Sequence, residues 1–264
     1  MRRKNLYMIA ILGIFLIGIS LYITFIILKS RKPAPLETKT IQIKNIRLEM
    51  VYIPAGEFHM GSTGGWIDEQ PLHRVRITRG FWMGKTEVTQ GLWKTVMNNN
   101  PSGFARGDQY PVERVSWEDC QRFIHRLTEL TNITFRLPTE AEWEYACRAG
   151  TRVEYPQNLD DLAWYDRNSN QSTHPVGLKQ PNAFGLLDML GNVWEWCADR
   201  YEKNYYSRSP LNDPRGPVIG THRVDRGGGW AYNTDIVRPS RRDGSGSDYA
   251  TDLIGFRLVA DHIP

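Results

Sequence analysis

The chain has 264 residues, 23% of them charged, and a formal net charge of +4. Six basic side chains and no acid fall within residues 1–32, so the rest of the chain is formally −2 and the apparent basicity belongs to the N-terminal flanks. With no Lys/Arg run and no aromatic–basic alternation in the body, that balance argues against DNA or RNA as a partner.

Leu6–Leu28 is an uncharged apolar run, long enough to cross roughly 30 Å of hydrocarbon as a helix. It exceeds the ~7–15-residue apolar region of a cleaved signal, and no small-x-small cleavage pattern follows it. No cysteine sits behind it to take a lipid. It reads as a retained transmembrane signal anchor behind a basic N-terminus at residues 1–5. Arg2, Arg3 and Lys4 on one side nearly balance Lys29, Arg31 and Lys32 on the other. The free N-terminal amine tips the orientation toward N-inside. The expectation is a single-pass membrane protein with its body outside the cytoplasm, periplasmic or at the cell surface.

Residues 29–46 read as a Pro- and Lys-bearing linker, and 47–264 as one α+β domain with little regular secondary structure. Val51–Ile53, His73–Ile77 and Phe256–Val259 have the composition of short strands. Gln90–Met97 behind Thr89 predicts a short helix. Ser116 and Asp119 open another through about Leu130, and Thr139 with Glu142 forms a capping box for a third that Gly150 can close after Arg148. Nine Trp and twelve Tyr in so loop-rich a chain predict a core of large flat rings. Cys120, Cys147 and Cys197 are too few and too scattered for a disulfide framework or a zinc site. Two readings stay open for them, a Cys147–Cys197 bridge or buried free thiols. The six histidines are isolated, without metal-binding spacing.

Several phrases carry a family resemblance: Ile53–Phe58 with Met60-Gly61-Ser62, Lys85–Thr89, Pro111-Val112 with Val115-Ser116-Trp117, Arg136–Ala146 (RLPTEAEWEYA), and Gly191–Trp196 (GNVWEW). The last is the frame of the segment Arg226–Arg257, with Arg226-Gly227-Gly228 at one end and Gly255-Phe256-Arg257 at the other. In this order they resemble the formylglycine-generating enzyme, or sulfatase-modifying factor, domain family over about Glu49–Ala260. The resemblance implies a C-type-lectin-like mixed α/β fold. Glu140 and Glu142 in a helix's first turn read as scaffold that offsets exposed N–H groups, not as acid catalysts. Arg226 and Arg257 read as fixing the loop ends.

The resemblance also implies a structural calcium, held by Asp188, the backbone carbonyls of Gly191 and Val193, and Glu195. Two anionic oxygens with carbonyls in a tight turn suit a hard cation. The competing reading is that Glu195 only caps a turn. The family's oxidases hold copper on two cysteine thiolates, soft ligands that suit Cu(I). Here those positions read Tyr232 and Val237, and the serine of the same pattern reads Gly229. No copper is therefore expected, and catalysis by that mechanism should be absent.

Ala231–Ile254 contains no Lys, Glu, Gln, Met or Trp. That composition resembles a variable region diversified by a retroelement; the alternative is chance in an Arg- and Tyr-rich stretch. Arg, Tyr, Asp, Ser and Gly suit adaptable recognition surfaces. The reading is a non-catalytic binding module for a protein or surface ligand. Its candidate contacts are Trp230, Tyr232, Asn233, Asp235, Arg238, Arg241, Arg242, Asp248 and Tyr249. The alternative is an oxidase or related maturation enzyme that acts on a protein or peptide with a different residue set.

Overall fold

The computed structural model describes residues 37–264; the anchor expected at Leu6–Leu28 lies outside them. Among the described residues no helix is long and apolar enough to cross a membrane. The first element corrects the linker boundary. β1 (Thr38–Ile43) pairs antiparallel with β2 (Ile46–Ile53), from Thr38 opposite Val51 to Ile43 opposite Ile46. Ile41 and Ile43 are buried while Gln42 between them is exposed. That alternation is the period-2 pattern of a half-buried strand, so residues 38–43 belong to the folded domain.

Then follow β3 (Gly56–Met60), β4 (His73–Ile77), β5 (Phe81–Gly84), α1 (Gln90–Met97), α2 (Trp117–Thr131), β6 (Phe135–Arg136) and α3 (Glu140–Arg148). After these come α4 (Leu159–Leu162), β7 (Ala163–Trp164), β8 (Leu190–Gly191), β9 (Trp194–Arg200), β10 (His222–Arg226), β11 (Arg242–Gly246), β12 (Ile254–Gly255) and β13 (Val259–Ala260). An antiparallel sheet orders its strands β1-β2-β5-β13-β6, and a second sheet runs β11-β10-β9-β12 with β12 parallel to β9. β3–β4 is a separate hairpin, and β7 and β8 pair in parallel.

The caps are where local chemistry places them. Thr89 Oγ1 accepts from the N–H of Leu92, while Ser116/Asp119 and Thr139/Glu142 form complete capping boxes, satisfying N–H groups that have no helical partner. α3 closes one residue before Gly150, with Ala149 itself left-handed at φ 43°. The strand expected over Phe256–Val259 does not form as one piece. Gly255 pairs with β9 in one sheet and Val259 with β5 and β6 in the other. Phe256–Leu258 cross between the sheets, with Phe256 fully buried against Trp93 and Phe123. Trp93 stacks on Phe123 at 5.1 Å, and Trp143 and Trp196 are wholly enclosed, so flat rings do fill the core. Cys120, Cys147 and Cys197 are all buried and free, so the 147–197 bridge does not form.

Candidate functional site

The segment between Arg226 and Arg257 hangs from its two ends. Gly227 and Gly228 take φ of 100° and 73°, and a Cβ on Gly228 would meet Val237 Cγ2 at 2.9 Å. Only glycine fits both the backbone and the space. Arg226, fully enclosed, donates to Glu144 and to the carbonyls of Pro239 (2.8 Å) and Ser240 (3.0 Å). The root of the segment is thereby tied to its own middle and to α3. Arg257 grips Glu195 through Nε (2.6 Å) and Nη2 (2.5 Å), and reaches the carbonyls of Gly84 and Asp188.

Three residues expected to face a ligand face inward instead. Arg238 makes a two-pronged pair with Glu69 (2.6 and 3.0 Å). Arg242 makes one with Glu140 (2.6 and 2.9 Å) between the rings of Tyr201 and Tyr206. Arg241 lies between Asp68 (3.7 Å) and Asp243 (3.3 Å) beneath the Trp66 ring. All three are buried. They are anchors because the acids they meet, in the turn Ile67–Glu69 and at the start of α3, are themselves buried and need counter-charges. Burial alone would raise the Glu140 carboxyl, but Arg242 and Arg226 outweigh it and hold it below the usual range.

Trp230 is half-buried, its indole N–H on the carbonyl of Asp252 (2.9 Å). Tyr232 is half-buried and meets Trp194 edge-on at 5.7 Å. Asn233, Asp235, Asp248 and Tyr249 are exposed; the Asn233 side chain accepts from the N–H of Asp235 and fixes that turn. Sequence reasoning missed Asp243, whose side chain is 54% exposed, and the exposed rings of Trp66 and Tyr155, which cover Arg241 and Arg238. Those rings come from other loops, and no local pattern announces them. Asp243 sat inside the segment between singled-out residues.

At the two positions where the related oxidases carry thiols, Tyr232 offers a phenol and Val237 a fully buried isopropyl group. Cys147 and Cys197 share a core cluster with Val237, but burial pushes the Cys147 thiol up to about 12 and the Cys197 thiol well above its usual value. Neutral buried thiols are inert.

Of the residues expected to hold calcium, the two acids keep open acceptor positions. Asp188 Oδ2 accepts from the N–H of Gly177 (2.6 Å), while the buried Oδ1 has no partner. Asp188 also lines a largely apolar cavity of about 220 Å³. Gly191 at φ 75° lets the turn close, since a Cβ there would lie 2.2 Å from the carbonyl of Trp164. Glu195 takes three hydrogen bonds, two from Arg257 and one from Trp143. That leaves one of roughly four carboxylate lone-pair sites open. Glu87, which sequence reading left unassigned, adds a third buried carboxylate and a second orphaned oxygen. Burial, then Asp188 and Glu195, push Glu87 well above the usual carboxylate range; burial pushes Asp188 up to about 6. Three carboxylates around one guanidinium leave surplus negative charge, which a divalent ion would offset.

A family model described as the sulfatase-modifying factor enzyme 1-like domain matches residues 40–262. The formylglycine-generating enzyme of Streptomyces coelicolor is 36% identical over 80% of this chain and 88% of that protein. Treponema denticola variable protein 1 superposes with a TM-score of 0.80 at 31% identity, over 88% of this chain and 100% of that one. PvdO from Pseudomonas aeruginosa superposes at 0.75 with 26% identity, over 88% and 99%.

Proposed function

The chain belongs to the sulfatase-modifying factor enzyme 1-like family, and from that premise we propose that it is a non-catalytic binding module of that family. The observation that carries the reading is the replacement of the paired thiols by Tyr232 and a buried Val237, neither of which holds a soft metal. The likeness to the Treponema variable protein supports a module whose segment is read as a display surface. The ligand-facing set is Trp230, Tyr232, Asn233, Asp235, Asp248 and Tyr249, joined by Asp243; Arg238, Arg241 and Arg242 hold the loop beneath them.

In this reading Leu6–Leu28 anchors the module to a membrane, with the domain outside the cytoplasm. Asp188 and Glu195, with the Gly191 and Val193 carbonyls, hold a structural calcium. The composition of residues 231–254 supports diversification by a retroelement. Its test is the coding DNA, where a near-identical template repeat should lie beside a reverse transcriptase gene.

A second reading, an oxidase or maturation enzyme acting on a protein or peptide, rests on the 36% identity to a formylglycine-generating enzyme. Copper titration and a peptide assay separate the two. The binding reading expects no thiol-dependent Cu(I) uptake and no conversion of a peptide cysteine to an aldehyde under oxygen. Either activity would overturn it.

A further inference from the structure

Asp225 and Asp243 stand directly opposite one another in the antiparallel pair β10–β11. Opposed residues project from the same face with Cβ atoms roughly 5 Å apart, and like charges there repel. Asp225 is only 3% exposed, and its Oδ2 has no hydrogen-bond partner. A buried polar atom left unpaired costs free energy, and here it belongs to an acid facing another acid.

Two guanidiniums lie within electrostatic reach of Asp225, those of Arg241 and Arg226, and the Nη groups of both are bound elsewhere. Arg241 directs its two Nη groups to Asp68 and Asp243. Arg223, also on β10, stacks on Trp117 and donates to the carbonyl of Ala198 (2.8 Å). The half-buried Tyr232 lies within electrostatic reach of Asp225, Asp243 and the exposed Tyr249. The Ser245 hydroxyl faces Asp225 from the neighbouring pair position. Burial, then Asp243, push the Asp225 carboxyl up to about 7.

We propose that the exposed Asp243, with the buried Asp225 opposite it on β10, forms a seat for a lysine or arginine side chain of a partner protein. This rests on the binding-module reading and adds the chemistry of the ligand. The two carboxylates supply charge, and Asp225 Oδ2 supplies the unfilled acceptor. A metal ion fits less well, because among the described residues no third His, Cys, Asp or Glu side chain joins this pair. The inward turn of Arg238, Arg241 and Arg242 leaves Asp235, Asp243 and Asp248 facing solvent on this segment. The surface that approaches a partner is therefore acidic and aromatic, the complement of a basic one.

The test uses the full-length protein and fluorescent peptides of one Gly-Ser frame bearing three arginines, three lysines, three glutamines or three glutamates. Anisotropy titrations read the affinity at low and at high salt. The cationic peptides should bind, more weakly as salt rises, and Asp225→Asn should weaken them about thirtyfold, the equivalent of about 2 kcal/mol. Asp243→Asn, at a half-exposed position, should weaken them in the same direction, whereas Glu129→Gln, exposed on α2 outside the ligand-facing set, should change little. Equal binding of the neutral or acidic peptides, insensitivity to both seat substitutions, or no binding of any peptide overturns the proposal. If a neutral or acidic peptide binds and Tyr249→Ala removes that binding, the module reading stands while the cationic ligand falls.

Discussion

Replacing Arg242 with alanine is the sharpest test of whether the segment's arginines are anchors or contacts. In the folded chain the Arg242 guanidinium makes two bonds to Glu140 and two at 3.1 Å to the carbonyls of Asp68 and Glu202, and lies between two tyrosine rings. Without it Glu140 keeps Tyr206 and an Arg226 contact at 3.4 Å, and the two carbonyls lose that donor. Removing one partner of a buried ion pair costs about 3–5 kcal/mol, a large part of a total stability of roughly 5–15 kcal/mol. Urea unfolding followed by far-UV circular dichroism should show a loss of about 4 kcal/mol, with the slope of the transition unchanged. Tyr249→Ala, exposed on the same segment, should shift stability by less than about 0.5 kcal/mol. The double variant Glu140→Gln with Arg242→Met, which removes both charges together, should recover at least half of the loss. A single Arg242→Ala variant within about 1 kcal/mol of the parent would refute the anchor assignment.

The remaining predictions use the same reasoning at other positions. Chelation with EDTA should lower the thermal midpoint and added calcium restore it, while Asp188→Ala should abolish that response; a midpoint indifferent to both removes the calcium reading. Asp199 is fully buried and, through burial and then Glu140, its carboxyl is pushed up to about 8. The unfolded chain, with an aspartate near ~3.9, therefore ionises first, and this residue's contribution to stability falls as pH rises from about 4 to about 8. Asp199→Asn should flatten that part of a urea-midpoint-against-pH curve, and an unchanged slope would show the group does not titrate as described. Gly228→Ala should cost about 1–3 kcal/mol through its positive φ and its contact with Val237, read as a lowered urea midpoint.

The helices were legible because their determinants are local. Ser116 with Asp119 and Thr139 with Glu142 each lie within one turn, so three or four residues suffice to place a helix start. His73–Ile77 was equally readable from its composition. β1 escaped notice because Lys39, Thr40 and Gln42 around Ile41 and Ile43 resembled a linker, and only pairing with β2 makes the alternation count. Phe256–Val259 looked like one strand because its apolar run is continuous; the crossing between sheets is invisible until both sheets exist.

By itself the order of phrases from Ile53 to Arg257 determined the family, and it showed that no thiol stands at positions 232 and 237, the ground of the non-catalytic proposal. Both follow from residue identity alone, since a side chain's ligand chemistry travels with it. Which way each arginine points was decided only by the tertiary structure. Arg238 and Arg242 read like recognition residues until the turn Ile67–Glu69 and the start of α3, distant in sequence, bring buried carboxylates against them. A charge goes inside only where an opposite charge is already waiting, and that pairing is a property of the folded chain.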